Sequence, residues 1–129
     1  MGAPPHVLLV SRDSDFIGIY QFTLRESGFT VTACVDVDPS ALPVSASVVI
    51  VDVLAPEDWQ IVGHVSEAQI PTIVVTGFIG LGRWYRDHAI HLGAAAFVLK
   101  PVWWDVLNDV IVRVLRGERG IEILPPARD

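Results

Sequence analysis

Short, continuous apolar runs alternate along the chain with segments in which apolar residues recur at helical spacing. Continuous apolar runs are typical of strands buried on both faces of a parallel sheet. The pattern predicts strands over 7–10, 30–35, 47–51, 72–75 and 97–99. It predicts helices from Asp13 or Ser14 to Gly28 and over 58–68, 83–92 and 103–116, with only a short helical turn over 38–42. This alternation indicates a parallel sheet with right-handed crossovers and a helical layer on each face.

Composition agrees with one compact α/β domain. The chain has 129 residues, of which 51% are hydrophobic, so it can build a substantial core. No apolar stretch approaches the roughly 20 residues that a membrane span needs, and the first residues lack the basic start of a signal peptide. The single cysteine, Cys34, cannot form an internal disulfide, and we expect a cytoplasmic protein.

Charge is distributed unevenly along the sequence. The net charge is −6, and the first 60 residues carry two arginines against eight acidic residues. A nucleic-acid-binding domain needs a basic surface that attracts phosphates. We therefore expect neither nucleic acid nor a membrane surface as a direct partner.

Three chemically distinct side chains stand at or just after the ends of predicted strands. These are Asp52, Thr76 and Lys100, the last being the only lysine in the chain. The carboxyl ends of parallel strands meet at one edge of a sheet, where α/β domains bind their ligands. A carboxylate nucleophile, a hydroxyl donor and a cation together suit the transfer of a phosphoryl group to the carboxylate.

Three segments extend this pattern into recognisable motifs. They cover 49–56, 71–77 and 93–101 and have the sequences VIVDVLAP, PTIVVTG and GAAAFVLKP. In this order they resemble the receiver domain of bacterial response regulators, over residues 6–117. The resemblance implies a doubly wound, five-stranded parallel sheet of the flavodoxin-like (βα)5 type, a three-layer sandwich with strand order 2-1-3-4-5. Residues 1–5 would form a short lead, and 118–129 a tail, a linker or a short added strand.

The resemblance also implies roles for individual residues. Asp52 would accept a phosphoryl group from a histidine kinase, and Thr76 and Lys100 would bind that group. Phe97 would change rotamer on activation, and the peptide bond before Pro101 would be cis. A domain of this kind is no enzyme beyond its own phosphorylation and dephosphorylation at Asp52.

The chain departs from the family after the first strand. Receiver domains normally carry two adjacent acids there that hold Mg²⁺, and Ser11 and Arg12 occupy those positions. Mg²⁺ prefers carboxylate ligands and water, so Mg²⁺ is doubtful here and no cofactor is expected. Asp13 would compensate only if the loop slipped by one residue. Arg12 would either lock Asp52 in an ion pair or partly replace the metal, and both alternatives place it within about 4 Å of the Asp52 carboxylate.

Aromatic residues are concentrated in the last two predicted helices. Trp84 and Tyr85 belong to the helix over 83–92, and Trp103 and Trp104 open the helix over 103–116. Exposed aromatic groups favour a dimer or partner surface. The alternative is that these rings only cover the ends of the helices.

Three functions compete on these observations, and the first, an atypical receiver with Asp52 as the phosphoryl acceptor, is favoured by Asp52, Thr76 and Lys100, whereas Ser11 and Arg12 argue against it. The first is a receiver phosphorylated on Asp52, with a histidine kinase or another signalling protein as its partner and a homodimer formed through the last two helices. The second is a pseudo-receiver that binds partners without phosphotransfer. The third, a small-molecule-binding or catalytic flavodoxin-like domain, ranks last because no phosphate-cradling loop follows the first strand.

Overall fold

The computed structural model describes residues 3–35, 38, 45–77 and 82–124, with residues 82 and 83 described by their backbone alone. The helical turn predicted over 38–42 therefore lies outside the described residues apart from position 38. Within the described ranges, each helix is too short or too polar to cross a membrane.

The described strands form one parallel sheet in the order β2-β1-β3-β4-β5-β6. They are β1 (His6–Val10), β2 (Thr30–Cys34), β3 (Val48–Val53), β4 (Thr72–Thr76), β5 (Ala96–Leu99) and β6 (Ile121–Ile123). The five predicted strands and their order are confirmed. The sixth strand extends the sheet beyond β5.

The helices of the described part of the chain follow the predicted pattern. They are α1 (Ser14–Glu26), α2 (Trp59–Glu67), α3 (Gly82–His91) and α4 (Trp104–Leu115), and a 3₁₀ turn (Pro56–Asp58) leads into α2. Helix α1 begins where the Asp13 carboxylate accepts hydrogen bonds from the backbone N–H groups of Asp15 and Phe16. These bonds satisfy donors that have no partner inside the helix.

The sheet separates two apolar cores. Along β1, Val7 and Leu9 face α1 and α4, whereas Leu8 and Val10 face α2 and α3. All four side chains are buried. Because successive strand residues point to opposite faces, covering both faces favours apolar residues along the whole strand. The continuous apolar runs in the sequence have this cause.

Strand β6 forms part of the C-terminal segment 118–129, which the sequence left open between a tail, a linker and a short strand. Residues Gly117 and Gly120 adopt positive φ angles of 99° and 71°, which reverse the chain after α4. The backbone N–H of Ile121 then donates to Ala95 O at 3.3 Å. The Ile121 side chain is buried in the core beneath α4.

Candidate functional site

The candidate site lies at the carboxyl edge of the sheet, where β1, β3 and β5 end. Asp52 is the fifth residue of β3, Ser11 directly follows β1, and Lys100 directly follows β5. Strand β3 lies between β1 and β4 in the sheet. The parallel topology therefore brings together side chains that are about 40 to 90 positions apart in the sequence.

The Asp52 carboxylate is held through both of its oxygens. The Ser11 hydroxyl donates to Asp52 Oδ2 at 2.7 Å. Lys100 Nζ lies 2.8 Å from Asp52 Oδ1, and the Asp52 side chain is fully inaccessible to solvent. The contact with Lys100 is an ion pair, and among the described residues no hydrogen bond is made to Oδ1.

Ser11 is fixed by its own contacts. Its hydroxyl accepts a hydrogen bond from the backbone N–H of Asp13 at 3.0 Å while it donates to Asp52. The residue is buried, and its backbone N–H donates to Cys34 O at 3.1 Å. The donated and the accepted hydrogen bond together fix the orientation of the hydroxyl. Asp52 therefore receives a neutral donor from the residue that follows β1.

The ammonium group of Lys100 packs against an aromatic ring beside Asp52. It lies 4.7 Å from the ring centroid of Phe16, which is a cation–π contact. The backbone N–H of Lys100 donates to Thr76 O at 2.8 Å, which anchors the start of the side chain. Gly77 lies against the stem of the lysine, with Lys100 Cδ 3.7 Å from where a Cβ would stand. The lysine thus approaches the carboxylate along a defined path.

An open groove of about 390 Å³ lies on the outer side of this lysine. Its lining residues are Asp13, Asp15, Phe16, Ile19, Tyr20, Gly77, Lys100 and Pro101. The Tyr20 hydroxyl donates to Val102 O. Burial, and secondly the negative charge of Asp52, raise the pKa of Tyr20 above its ordinary value. The phenol is therefore held in its neutral, donating form.

The other residues to which the resemblance assigns roles are Thr76, Phe97 and Pro101. Thr76 is fully buried, and its hydroxyl donates to Val53 O at 3.1 Å. Phe97 is buried in the core beneath α2 and α3. The peptide bond between Lys100 and Pro101 is cis.

Arg12 does not form the predicted ion pair with Asp52, and that prediction is wrong. Its guanidinium binds Glu57 Oε1 at 3.1 Å and Asp58 Oδ1 at 3.0 Å. Successive side chains of an extended chain point to opposite sides. Since Ser11 takes the buried position next to Asp52, Arg12 points towards the loop after β3.

Asp58 is a site residue that the sequence analysis missed. Its side chain is almost completely buried, and its Oδ2 accepts hydrogen bonds from the backbone N–H groups of Leu54 and Ala55 at 2.9 and 3.0 Å. The neighbouring Glu57 is exposed, and its own backbone N–H and secondly Arg12 lower its pKa. The available signal was an acid two residues after Pro56, a pattern typical of the start of a helix.

Ser11 and Arg12, which the resemblance places at the family's metal-binding positions, do not offer a magnesium ligand set. Ser11 contributes a hydroxyl already engaged twice, and Arg12 contributes a cation. Asp13 Oδ1 caps α1. Over the described ranges, no three histidine, cysteine or acidic side chains are grouped so that they could hold a metal ion. Mg²⁺ needs several oxygen ligands in near-octahedral geometry.

The four predicted interface aromatics fall into two separate groups. Trp84 and Tyr85 pack with Trp59 on the α2–α3 side, and Tyr85 is buried, so it cannot serve as an exposed contact. Trp103 and Trp104 are exposed at the start of α4, where Trp104 lines a groove next to α1. The two helical layers on opposite faces of the sheet separate these groups.

No protein-family model matches the sequence, and no curated protein does either. Solved structures match clearly. A CheY-like receiver domain protein from Methanospirillum hungatei has 18% identity and a TM-score of 0.75, covering 88% of this chain and 94% of that one. Chemotaxis protein CheY4 of Vibrio cholerae has 22% identity and a TM-score of 0.74, over 87% and 99% of the two chains.

A response regulator from Thermotoga maritima gives the same picture, with 17% identity and a TM-score of 0.75 over 88% of this chain and 99% of that one. These identities are low, so the comparison concerns the backbone rather than the side chains of the site. The chain therefore has the fold of CheY-like response regulator receiver domains.

Proposed function

We propose that this chain is a receiver-type module of two-component signalling that recognises its partners without phosphotransfer. The observation that carries the proposal is the buried Asp52 carboxylate, held by Ser11 on one oxygen and by Lys100 on the other. The receiver fold supports a signalling role, and the closed network supports a single, unphosphorylated state.

Phosphoryl transfer to a carboxylate requires an accessible attacking oxygen and cations around the transferred group. Asp52 Oδ2 is hydrogen-bonded, and Oδ1 is covered by the ammonium of Lys100. A hydrogen bond to a charged acceptor contributes about 1.5–3 kcal/mol, and an attack through Oδ2 would lose this contribution. Arg12 is paired with the carboxylates of Glu57 and Asp58, so its positive charge is not available to neutralise a phosphoryl group at Asp52.

A second candidate is a slow phosphoacceptor that works without a metal. The specific observation in its favour is that Asp52 Oδ1 has no well-aligned donor and lies next to Lys100, which borders the open groove. Rotation of the lysine towards the groove would uncover Oδ1 and place a cation beside the incoming group.

Partners follow from the proposed role. We expect a histidine kinase or another cytoplasmic signalling protein, and no enzymatic activity beyond self-phosphorylation and dephosphorylation in the second candidate. A homodimer stays a prediction. The exposed tryptophans available to it are Trp84 on one helical layer and Trp103 and Trp104 on the other.

Incubation with a small acyl phosphate donor tests the proposal. The intact mass of the wild type is measured with and without Mg²⁺, and the double variant Ser11→Asp, Arg12→Asp is treated alongside. We expect no phosphoryl mass gain in the wild type under either condition. The double variant restores two adjacent acids, so we expect it to gain a phosphoryl group only with Mg²⁺.

Asp52→Asn is the control for side reactions, because it removes the acceptor and keeps the size of the side chain. A base-labile gain in the wild type that Asp52→Asn abolishes would overturn the proposal. If that gain did not need Mg²⁺, it would establish the second candidate.

A further inference from the structure

Two loops at the carboxyl edge of the sheet are joined by one arginine. The first loop, residues 11–13, connects β1 to α1, and the second, residues 54–58, connects β3 to α2. Arg12 Nη2 binds Asp58 Oδ1 at 3.0 Å, and Arg12 Nη1 binds Glu57 Oε1 at 3.1 Å. Residues more than 40 positions apart are thereby held together next to Asp52.

Asp58 links this ion pair to the backbone of the second loop. Its Oδ2 accepts the N–H groups of Leu54 and Ala55, the second and third residues after Asp52 in the chain. With Oδ1 on Arg12 and a side-chain exposure of only 3%, the carboxylate is fully engaged. The position of the loop beyond Asp52 therefore depends on a buried charge whose counter-charge is Arg12.

We propose that Arg12 and Asp58 form a clamp that fixes these two loops in place of a divalent cation. The clamp, defined as Arg12 with Asp58 and the N–H groups of Leu54 and Ala55, keeps the edge of the sheet in one conformation at any divalent cation concentration. Arg12 is thus a positioning residue. The proposal does not depend on whether Asp52 is phosphorylated.

The chemistry of arginine suits this role. A guanidinium presents a rigid fork of N–H donors, so it can bind two carboxylates at once and remains charged at every physiological pH. Buried Asp58 needs such a counter-charge, because an unpaired buried carboxylate is strongly destabilising. Ser11 and Arg12 do not offer a magnesium ligand set. In the clamp, the arginine side chain supplies the positive charge that an exchangeable metal ion would otherwise provide.

Amide hydrogen exchange at Leu54 and Ala55 measures the clamp directly, since both N–H groups donate to Asp58. Exchange is followed by NMR in the wild type and in Arg12→Ala, each in a chelator and in about 10 mM Mg²⁺. In the wild type we expect the same rates under both conditions. In Arg12→Ala we expect exchange at least about tenfold faster in the chelator and slower again in Mg²⁺, because a cation can then approach the uncompensated carboxylates.

Arg86→Ala is the matched control. Arg86 also binds two carboxylates, those of Asp87 and Glu122, but it lies on α3 and its partners are more exposed. We expect no change at Leu54 or Ala55 in this variant. If Arg12→Ala does not fold, Arg12→Lys replaces it, and exchange at Leu54 and Ala55 should be faster than in the wild type and in Arg86→Ala, because lysine keeps the charge without the fork.

Three results would overturn the proposal. The first is an Mg²⁺-dependent exchange rate at Leu54 and Ala55 in the wild type. The second is an exchange rate in Arg12→Ala no faster than in Arg86→Ala. The third is an exchange rate in Arg12→Ala that Mg²⁺ leaves unchanged. These readouts differ from phosphoryl mass gain, so failure here is distinguishable from failure of the proposed function.

Discussion

At the scale of single residues, the Ser11 hydroxyl holds the Asp52 carboxylate in its observed position. Ser11 donates to Asp52 and accepts from the backbone of Asp13, which couples the Asp52 carboxylate to the start of α1. Lys100 supplies the positive charge on the other oxygen. Asp52 is thus balanced by one cation and one neutral donor.

Replacing Ser11 should reveal the strength of this coupling. Ser11→Ala leaves the buried Asp52 Oδ2 without its donor, and we expect the free energy of unfolding to fall by about 1–3 kcal/mol. Urea denaturation monitored by tryptophan fluorescence measures it. The control is Ser27→Ala, since that hydroxyl donates to Thr23 O at an exposed position, and its effect should stay within about 0.5 kcal/mol. Equal effects of the two variants would contradict a special role for Ser11.

Tyr20 reports the charge of Asp52 through its titration. Burial first and the charge of Asp52 second raise its pKa, so Asp52→Asn should lower the pKa of Tyr20. Because the folded pKa is raised, the neutral phenol contributes stability below the ordinary pKa of about 10, and this stability is lost as pH rises through the folded value. Ultraviolet absorbance of the phenolate measures the titration, with Tyr20→Phe identifying the signal of Tyr85. An unchanged Tyr20 titration in Asp52→Asn would show that the two groups are not coupled.

The sequence predicted part of this site and missed the rest for a definable reason. Asp52 and Lys100 could be placed together because each stands at or just after a buried strand, and parallel topology fixes where such residues lie. Arg12 and Asp58 both lie in loops. Which way a loop residue points depends on neighbours that the hydrophobic pattern does not record, so the Arg12–Asp58 pair could not be predicted.

At the scale of secondary structure elements, strand β6 is the main difference between the predicted and the observed fold. Its three residues extend the sheet beside β5, and Glu122 binds Arg86 of α3 at 3.0 Å. Periodicity could not decide between a strand and a linker for so short a segment. The longer runs, such as the one that became β3, were predictable because both of their faces are buried.

The contribution of β6 can be measured with two isoleucine variants. Ile121→Ala removes a buried side chain from the core beneath α4, and we expect a loss of about 2 kcal/mol in the free energy of unfolding. The matched control is Ile90→Ala on α3, whose side chain is exposed, with an expected change within about 0.5 kcal/mol. Chemical denaturation measures both. A loss no larger than that of the control would mean that β6 packs only loosely.

At the scale of the whole molecule, the receiver fold and the contacts around Asp52 together indicate a domain that keeps a single conformation. The fold places Asp52 at the carboxyl edge of the sheet, where Ser11 and Lys100 hold its carboxylate and Arg12 pairs with Asp58 nearby. A receiver switches because an added group changes which contacts are favourable. A site whose carboxylate is already held by a hydrogen bond and an ion pair should stay in one conformation.

The backbone amide NMR spectrum tests this claim most directly. The spectrum is recorded for the wild type alone, with Mg²⁺, and with Mg²⁺ and a small acyl phosphate donor. We predict that the resonances of Ser11, Asp52, Thr76 and Lys100 keep their positions in all three samples. A second set of resonances for these residues that appears with the donor and disappears in Asp52→Asn would contradict the account.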